Sequence, residues 1–280
     1  MADKKLLTIQ DVSCYGQCSL TVALPILSAM GIETAILPSA VLSTHTGGFT
    51  GYTFRDLTDD IPAIGAHWRK EGITFDAFYT GYIGSKKQLN HIKEIVRTCG
   101  KKGALLVVDP VMGDNGKLYA GFDEAFAAEM ARFVSGADVI LPNLTEAAYL
   151  LGEPYLGEGY DRAYIEGLLR RLSALSGGDV VLTGVSFDRA KLGVATYDAK
   201  TDEIDYYFEE RIEGSFHGTG DVYASAFTGA LVRGKTLKEA AALAVDFTVR
   251  AIRATLPERK EHWYGVKFEQ AIPYLTGRLS

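Results

Sequence analysis

Short apolar runs alternate with longer stretches of helical spacing along the chain. Lys5–Gln10 predicts a strand, followed by a helix from about Ser19 to Met30. Thr34–Leu42 is a second apolar run, ending in the glycine-rich stretch Gly47-Gly48-Phe49-Thr50-Gly51. Over Arg55–Glu71 the apolar set Leu57, Ile61, Ile64 and Trp68 follows i, i+4, i+7, i+11, which predicts a helix. Phe75–Thr80 predicts a strand, Lys86–Thr98 a helix, and Ala104–Val108 a strand that stops at Asp109-Pro110. Then come a helix over about Glu124–Val134, a strand at Val139–Leu141, a helix opening near Asn143, a helix over Arg162–Leu175 and a strand at Asp179–Thr183. Leu192–Tyr197 and Ile204–Phe208 are rich in β-formers and predict an antiparallel hairpin joined by Asp198–Asp202. The last third is mostly helical, over Asp221–Val232, Leu237–Thr255 and Lys267–Tyr274.

Strand–helix repetition of this kind implies an α/β fold in three layers, with a mostly parallel central sheet flanked by helices on both faces. No linker of Pro, Ser or Gly composition divides residues 1–280 and no repeat of 20–50 residues is present, so a single domain is expected. In such sheets ligands bind at the carboxyl ends of the strands, which makes the residues just after each strand the ones to weigh.

Composition narrows the function classes. With 47% hydrophobic and 23% charged residues, a sizeable core is available and wholesale disorder is excluded. The 29 basic and 35 acidic residues give a net charge of -6, which argues against a nucleic-acid or anionic-membrane surface. An anionic substrate must therefore be held by local donors. Cys14, Cys18 and Cys99 form no C-x-x-C pair and have no zinc-finger partner, a count suited to a reducing cytosol. Met1-Ala-Asp-Lys-Lys leads into an apolar run too short for a signal peptide, and Leu20–Ile32 is broken by Pro25. A cytoplasmic location is the expectation.

The most informative stretch is Phe216-His217-Gly218-Thr219-Gly220-Asp221. Two glycines leave backbone N–H groups unobstructed just where a helix begins, so unpaired amides and the positive dipole end point at one spot. Asp221 lies in that first turn, placed to accept the proton of an attacking hydroxyl. The plain alternative is an ordinary helix start capped by Thr219 or Asp221. In Val107-Val108-Asp109-Pro110-Val111-Met112-Gly113-Asp114, the two carboxylates at a strand end suit Mg²⁺; as turn residues they need no ligand. Asn143 with Glu146 has capping-box spacing, and the same spacing puts an amide and a carboxylate where they reach a hydrated magnesium. Thr183-Gly184 offers a hydroxyl and a flexible backbone at the same edge. Gly229-Ala-Leu-Val-Arg-Gly234-Lys235-Thr236 matches the P-loop pattern, but it lies within a helical segment rather than after a strand, so it is rejected. Nucleophile-elbow, G-x-G-x-x-G and H-E-x-x-H signatures are missing. Of the five histidines only His45 stands out, sharing a glycine-rich loop with Thr44 and Thr46.

In this order the motifs resemble the ribokinase-like superfamily, and within it the pyridoxal (vitamin B6) kinases, over nearly the whole chain. The residues concerned are Ile9-Gln10 with Tyr15-Gly16, Ser43-Thr44-His45-Thr46-Gly47, Thr80-Gly81-Tyr82, Asp109 to Asp114, Pro142-Asn143 with Glu146, Thr183, and Gly218 to Asp221. The resemblance implies ATP-dependent phosphorylation of the 5′-hydroxymethyl group of pyridoxal, pyridoxine or pyridoxamine. It implies Asp221 as base and Gly218, Thr219 and Gly220 as anion hole. Asp109, Asp114 and Glu146 would surround the magnesium, Asn143, Thr183, Gly184 and Thr219 would meet nucleotide, and His45, Thr46 and Tyr82 would line the acceptor pocket. A homodimer is implied as well. B6 kinases have Ser-His after Ile-Gln; this chain has Asp11-Val12, with Ser13 one shift away, so Asp11 and Ser13 join the acceptor candidates. Leu141 stands where some relatives place a threonine near a monovalent cation, which counts against that ion. The hydroxymethylpyrimidine kinases of thiamine synthesis share most of these motifs and remain an alternative acceptor class. A catalytically silent vitamin sensor of the same fold is a further one.

Overall fold

The computed structural model describes residues 4–278. Nine strands form one sheet. In chain order they are β1 (Lys5–Ser13), β2 (Glu33–Leu42), β3 (Phe54–Asp56), β4 (Phe75–Thr80), β5 (Gly100–Val108), β8 (Val139–Ile140), β9 (Asp179–Val185), β10 (Lys191–Asp198) and β11 (Glu203–Glu210). β6 (Gly113–Asp114) and β7 (Lys117–Leu118) make a separate two-stranded ribbon. The sheet order is β11-β10-β9-β8-β5-β4-β1-β2-β3. The six strands from β9 to β2 pair in parallel; β10, β11 and β3 add antiparallel edges.

Both sheet faces are apolar, as buried parallel strands require. On β4, Ala77 and Tyr79 face one core and Phe78 the other, following the strand's period of two, while Phe75 joins Phe78's side across a register shift between Phe75 and Ala77. The first core is covered by α1 (Leu20–Ala29), α7 (Thr219–Val232), α8 (Leu237–Thr255) and the carboxyl-terminal turns through α9 (Ile272–Gly277). The second lies under α2 (Ile61–Lys70), α3 (Lys86–Cys99), α4 (Glu124–Val134), α5 (Leu144–Leu151) and α6 (Arg162–Ser176). The chain leaves β1 for β2 on one side and later returns to β4 on the other. The strand order therefore reverses between β1 and β4, and sheets of this kind bind ligands beyond the carboxyl ends at such a reversal.

Most expected elements are present, with three corrections. The helix expected over Arg55–Glu71 occupies only Ile61–Lys70; Phe54–Asp56 is an edge strand paired with Ala40–Leu42. Asp56 accepts the Thr58 N–H at 2.6 Å, and this turn diverts Leu57 from the helical row. Lys267–Tyr274 is a 3₁₀ turn, Phe268–Ala271, before the short α9. The β6–β7 ribbon is too short to leave a periodic signal. Gly229 lies inside α7, while Gly234 follows it at φ 89°, so the rejected P-loop pattern is a helix and its stop.

Candidate active site

The carboxyl edge brings most of the expected residues together. Gly218 caps α7 at φ 74°, and a Cβ there would overlap the carbonyl oxygen of Gln17, so glycine is required. The first intrahelical bond of α7 runs from Val222 N–H to the Gly218 carbonyl at 3.0 Å. The amides of Thr219, Gly220 and Asp221 therefore precede the ladder and face outward. Gly220 is exposed with nothing within 4 Å of where its Cβ would be, which leaves room for an anion. The Thr219 hydroxyl donates to the Phe216 carbonyl at 3.2 Å, fixing the turn.

Asp221 projects from the same turn and is half-buried. Burial pushes its carboxyl up to about 7 and the Asp11 charge adds to this, while the Ser19 backbone N–H opposes it. A carboxyl poised near neutrality beside an amide cradle suits general-base work.

On the other side of α7's mouth, Asp109 ends β5 with 8% of its surface exposed and Glu146 is 3% exposed. Burial raises Asp109 well above the ordinary carboxylate range, with Glu146 and Asp221 adding to it. Burial also lifts Glu146 to about 8, against N–H groups of Asn143, Met112 and Gly113. The capping box is formed: Asn143 accepts the Glu146 N–H at 2.9 Å and Glu146 accepts the Asn143 N–H at 2.9 Å. Glu146 also accepts the Met112 N–H at 3.1 Å, and the Asn143 amide donates to the Gly113 carbonyl at 2.8 Å. Asn143 and Glu146 thus tie the β6–β7 ribbon to the sheet edge. Asp114 folds back on Asn115, accepting its backbone N–H at 2.8 Å and its side-chain amide at 2.9 Å. Among the described residues no three His, Cys, Asp or Glu side chains converge as a metal cage. Two neighbouring carboxylates fit Mg²⁺ carried mainly by phosphates and water. Thr183 bridges to Asn143 across the gap after β8, and its N–H donates to the Pro142 carbonyl at 2.9 Å. Gly184 follows at φ 74°, exposed at the sheet edge.

Glu146→Gln keeps one oxygen to accept the Asn143 N–H, turns an NH2 towards the Met112 N–H that the second carboxylate oxygen accepted, and removes one acid from a buried pair. The lost Met112 bond and the relief of burying a second acid oppose each other, so the metal-free protein is expected to melt near the wild-type temperature, while the magnesium needed for half-maximal rate rises severalfold. A magnesium titration beside a thermal melt checks both.

The acceptor candidates lie on the end of β1 and on the segments that follow β2 and β4. Asp11 is buried and accepts the Ser13 hydroxyl at 2.8 Å; burial raises its carboxyl. Tyr82 is half-buried against the Phe122 ring at 5.5 Å, and burial, with the Asp11 charge, pushes its phenol up to about 12. Thr46 is exposed on the loop after β2, and the neighbouring Thr44 hydroxyl oxygen is buried without a partner. His45, expected to line the same pocket, has both ring nitrogens engaged within the protein. Its Nδ1 accepts the Gly47 N–H at 3.1 Å, so its Nε2 carries the proton donated to the Tyr264 carbonyl at 2.8 Å. Both nitrogens are occupied, and burial lowers its pKa, so a neutral ring braces the loop.

Sequence reasoning missed two neighbours of the site. Ser19 caps α1 at φ 55°, ψ -129°, a backbone region L-residues rarely adopt, with its side chain off the cap. Its N–H lies against Asp221 and its hydroxyl against Asp11. A helix-start serine was legible in the sequence; its left-handed turn was not. Tyr119 follows the β6–β7 ribbon, its N–H donating to the Met112 carbonyl at 2.9 Å. Burial, then Glu146, Asp114, Asp109 and Asp221, push its phenol above the ordinary range, which places it over the acidic group.

An amide cradle, a carboxyl in the same helical turn and a buried acid pair at the switch point of such a sheet are the arrangement of a small-molecule kinase. The family description that matches is phosphomethylpyrimidine kinase, over residues 28–265. A Bacteroides thetaiotaomicron protein assigned to that kinase class, in a crystal form with pyridoxal, is 38% identical. The match covers 98% of this chain and 96% of that one, with a TM-score of 0.92. The pyridoxal kinase of Lactobacillus plantarum is 35% identical over 98% of this chain and 97% of its own, with a TM-score of 0.91. The pyridoxal kinase of Arabidopsis thaliana is 28% identical over 93% of this chain and 85% of its length. The chain belongs to the phosphomethylpyrimidine kinase family of ribokinase-like enzymes, on the branch that holds the pyridoxal kinases.

Proposed function

We propose that this protein transfers the γ-phosphoryl group of ATP to the 5′-hydroxymethyl group of pyridoxal, pyridoxine or pyridoxamine. One observation carries the reading: the Asp221 carboxyl stands in the first turn of α7 beside the unpartnered amides of Thr219 and Gly220. The acceptor oxygen attacks phosphorus as the bond to the ADP oxygen breaks. The amides stabilise charge on the phosphoryl oxygens, and Asp221 takes the acceptor proton as the hydroxyl becomes acidic. Bound magnesium would neutralise the phosphates, with Asp109 and Glu146 holding its waters and Asp114 at the rim. Asn143, Thr183 and Gly184 serve the nucleotide side chiefly by shaping the edge. Leu141 is buried and carries no hydroxyl, so no step is assigned to a monovalent cation.

Asp11 keeps the hydroxymethylpyrimidine acceptor in view, and so does the family description. A panel of B6 vitamers and hydroxymethylpyrimidine with ATP separates the two readings. Preferred turnover of a B6 vitamer is expected; preferred turnover of the pyrimidine would replace it, and vitamer binding without ATP consumption would favour a sensor. The reading includes a homodimer, supported by the free sheet edge at β3 where Phe54 is 49% exposed, and sedimentation measures it. Three free cysteines support a cytoplasmic location. No helix among the described residues is long and apolar enough to cross a membrane.

A further inference from the structure

The loop after β2 has glycines at 47, 48 and 51, two of them at positive φ (83° at Gly48, 68° at Gly51), so its own backbone does little to hold one shape. Its neck is closed by Ser43 N–H to the Thr53 carbonyl at 3.2 Å and Thr53 N–H to the Ser43 hydroxyl at 2.9 Å. Its tip, beside Thr46, is held by rings instead. Trp263, on the segment after α8, packs its ring 4.5 Å from Phe49 and sits over Gly48, where a Cβ would come within 2.7 Å of the indole. The same indole lies 6.3 Å from His217, the residue before Gly218. His217 in turn is 5.3 Å from His45 and packs on Gly47, where a Cβ would come within 2.7 Å of its Nδ1. Bonds to the Tyr264 carbonyl, next in the chain, repeat the link: from the His45 ring Nε2 at 2.8 Å and from the Gln17 N–H at 3.3 Å.

We propose that Trp263 is a positioning residue that holds the acceptor loop, through Phe49 and Gly48, against the anion-hole turn, through His217. This rests on the kinase reading above. Among the described residues the ring contacts of Trp263 run to Phe49, His217 and Tyr264, on the acceptor side, and not to Asn143, Thr183 or the Asp109–Glu146 pair, so its effect falls on the acceptor and not on ATP. Trp263 is 41% exposed, so truncating it leaves both cores intact. Aromatic pairs at these separations add stabilisation beyond area burial, and their loss from a glycine-rich loop is felt as loop freedom.

Trp263→Ala is expected to raise the acceptor KM about tenfold, with the ATP KM within about twofold of wild type, and Trp263→Phe to recover most of the loss. Amide exchange over residues 44–51 is expected to speed up in Trp263→Ala while that of the central strands stays constant. Equal rises in both KM values, or an acceptor KM that does not move, would overturn the role. Unchanged exchange at 44–51 would overturn the contact itself. If wild-type protein phosphorylates no member of the acceptor panel, the kinase reading fails, and the exchange comparison still decides whether Trp263 holds the loop.

Discussion

Asp221→Asn is expected to lower kcat by roughly 10²-fold or more while ATP affinity stays near the wild-type value. The asparagine is isosteric, so the amides of Thr219 and Gly220 and the α7 mouth keep their geometry; only the capacity to take a proton is removed. The pH profile gives a second reading of the same group. Activity requires the deprotonated carboxylate, and burial holds the Asp221 carboxyl at about 7. The acid limb of kcat/KM should therefore bend near pH 7 and fall about tenfold per unit below it. Asp11 contributes to that elevation through its charge. Asp11→Asn is then expected to move the limb towards lower pH, whatever it does to acceptor binding. An acid limb at the ordinary carboxylate range in wild type, or full turnover in Asp221→Asn, would remove Asp221 as the base.

The parts of this site that the sequence displayed are those whose function needs a residue type at a fixed spacing. Gly218-x-Gly220-Asp221 is legible because unobstructed amides require glycine and the proposed base belongs in the first turn of the helix. Asn143 and Glu146 were equally visible, and there the structural and functional readings coincide, since the capping box also anchors the β6–β7 ribbon. The apolar alternation gave the sheet because burial on two faces leaves near-continuous hydrophobic runs. It failed at Phe54–Leu57, where a side chain–backbone turn at Asp56 outweighs the i, i+4 pattern. What sequence could not display were contacts between loops far apart in the chain. His45 looked like a ligand because its partner carbonyl, Tyr264, lies 219 residues away. Ser19 stands only at the start of an expected helix in the sequence, because a serine at φ 55° is a property of the backbone that no composition signals. Trp263 lay outside every motif.

Substitutions at Gly218 and Gly220 separate the stability of the anion hole from its chemistry. Gly218→Ala places a methyl in the left-handed region, at roughly 1–2 kcal/mol, and drives it into the Gln17 carbonyl. Relieving the overlap means parting α7's mouth from the loop that carries Cys18 and Ser19, at a further ~1–3 kcal/mol. The melting temperature should fall by several degrees, and kcat by roughly 10²-fold, because the cradle amides move with the turn. Gly220 has the opposite balance. It lies inside α7 with open space around it, so alanine gains up to about 1 kcal/mol of helix propensity. The variant is expected to melt at or above the wild-type temperature. Its new methyl nevertheless stands where a phosphoryl oxygen must approach the backbone, so kcat should fall at least about tenfold. A protein made more stable and less active by one methyl group identifies space reserved for a ligand rather than for packing. Wild-type turnover in Gly220→Ala, with the gain in stability intact, would mean that the transferred group does not pass the mouth of α7.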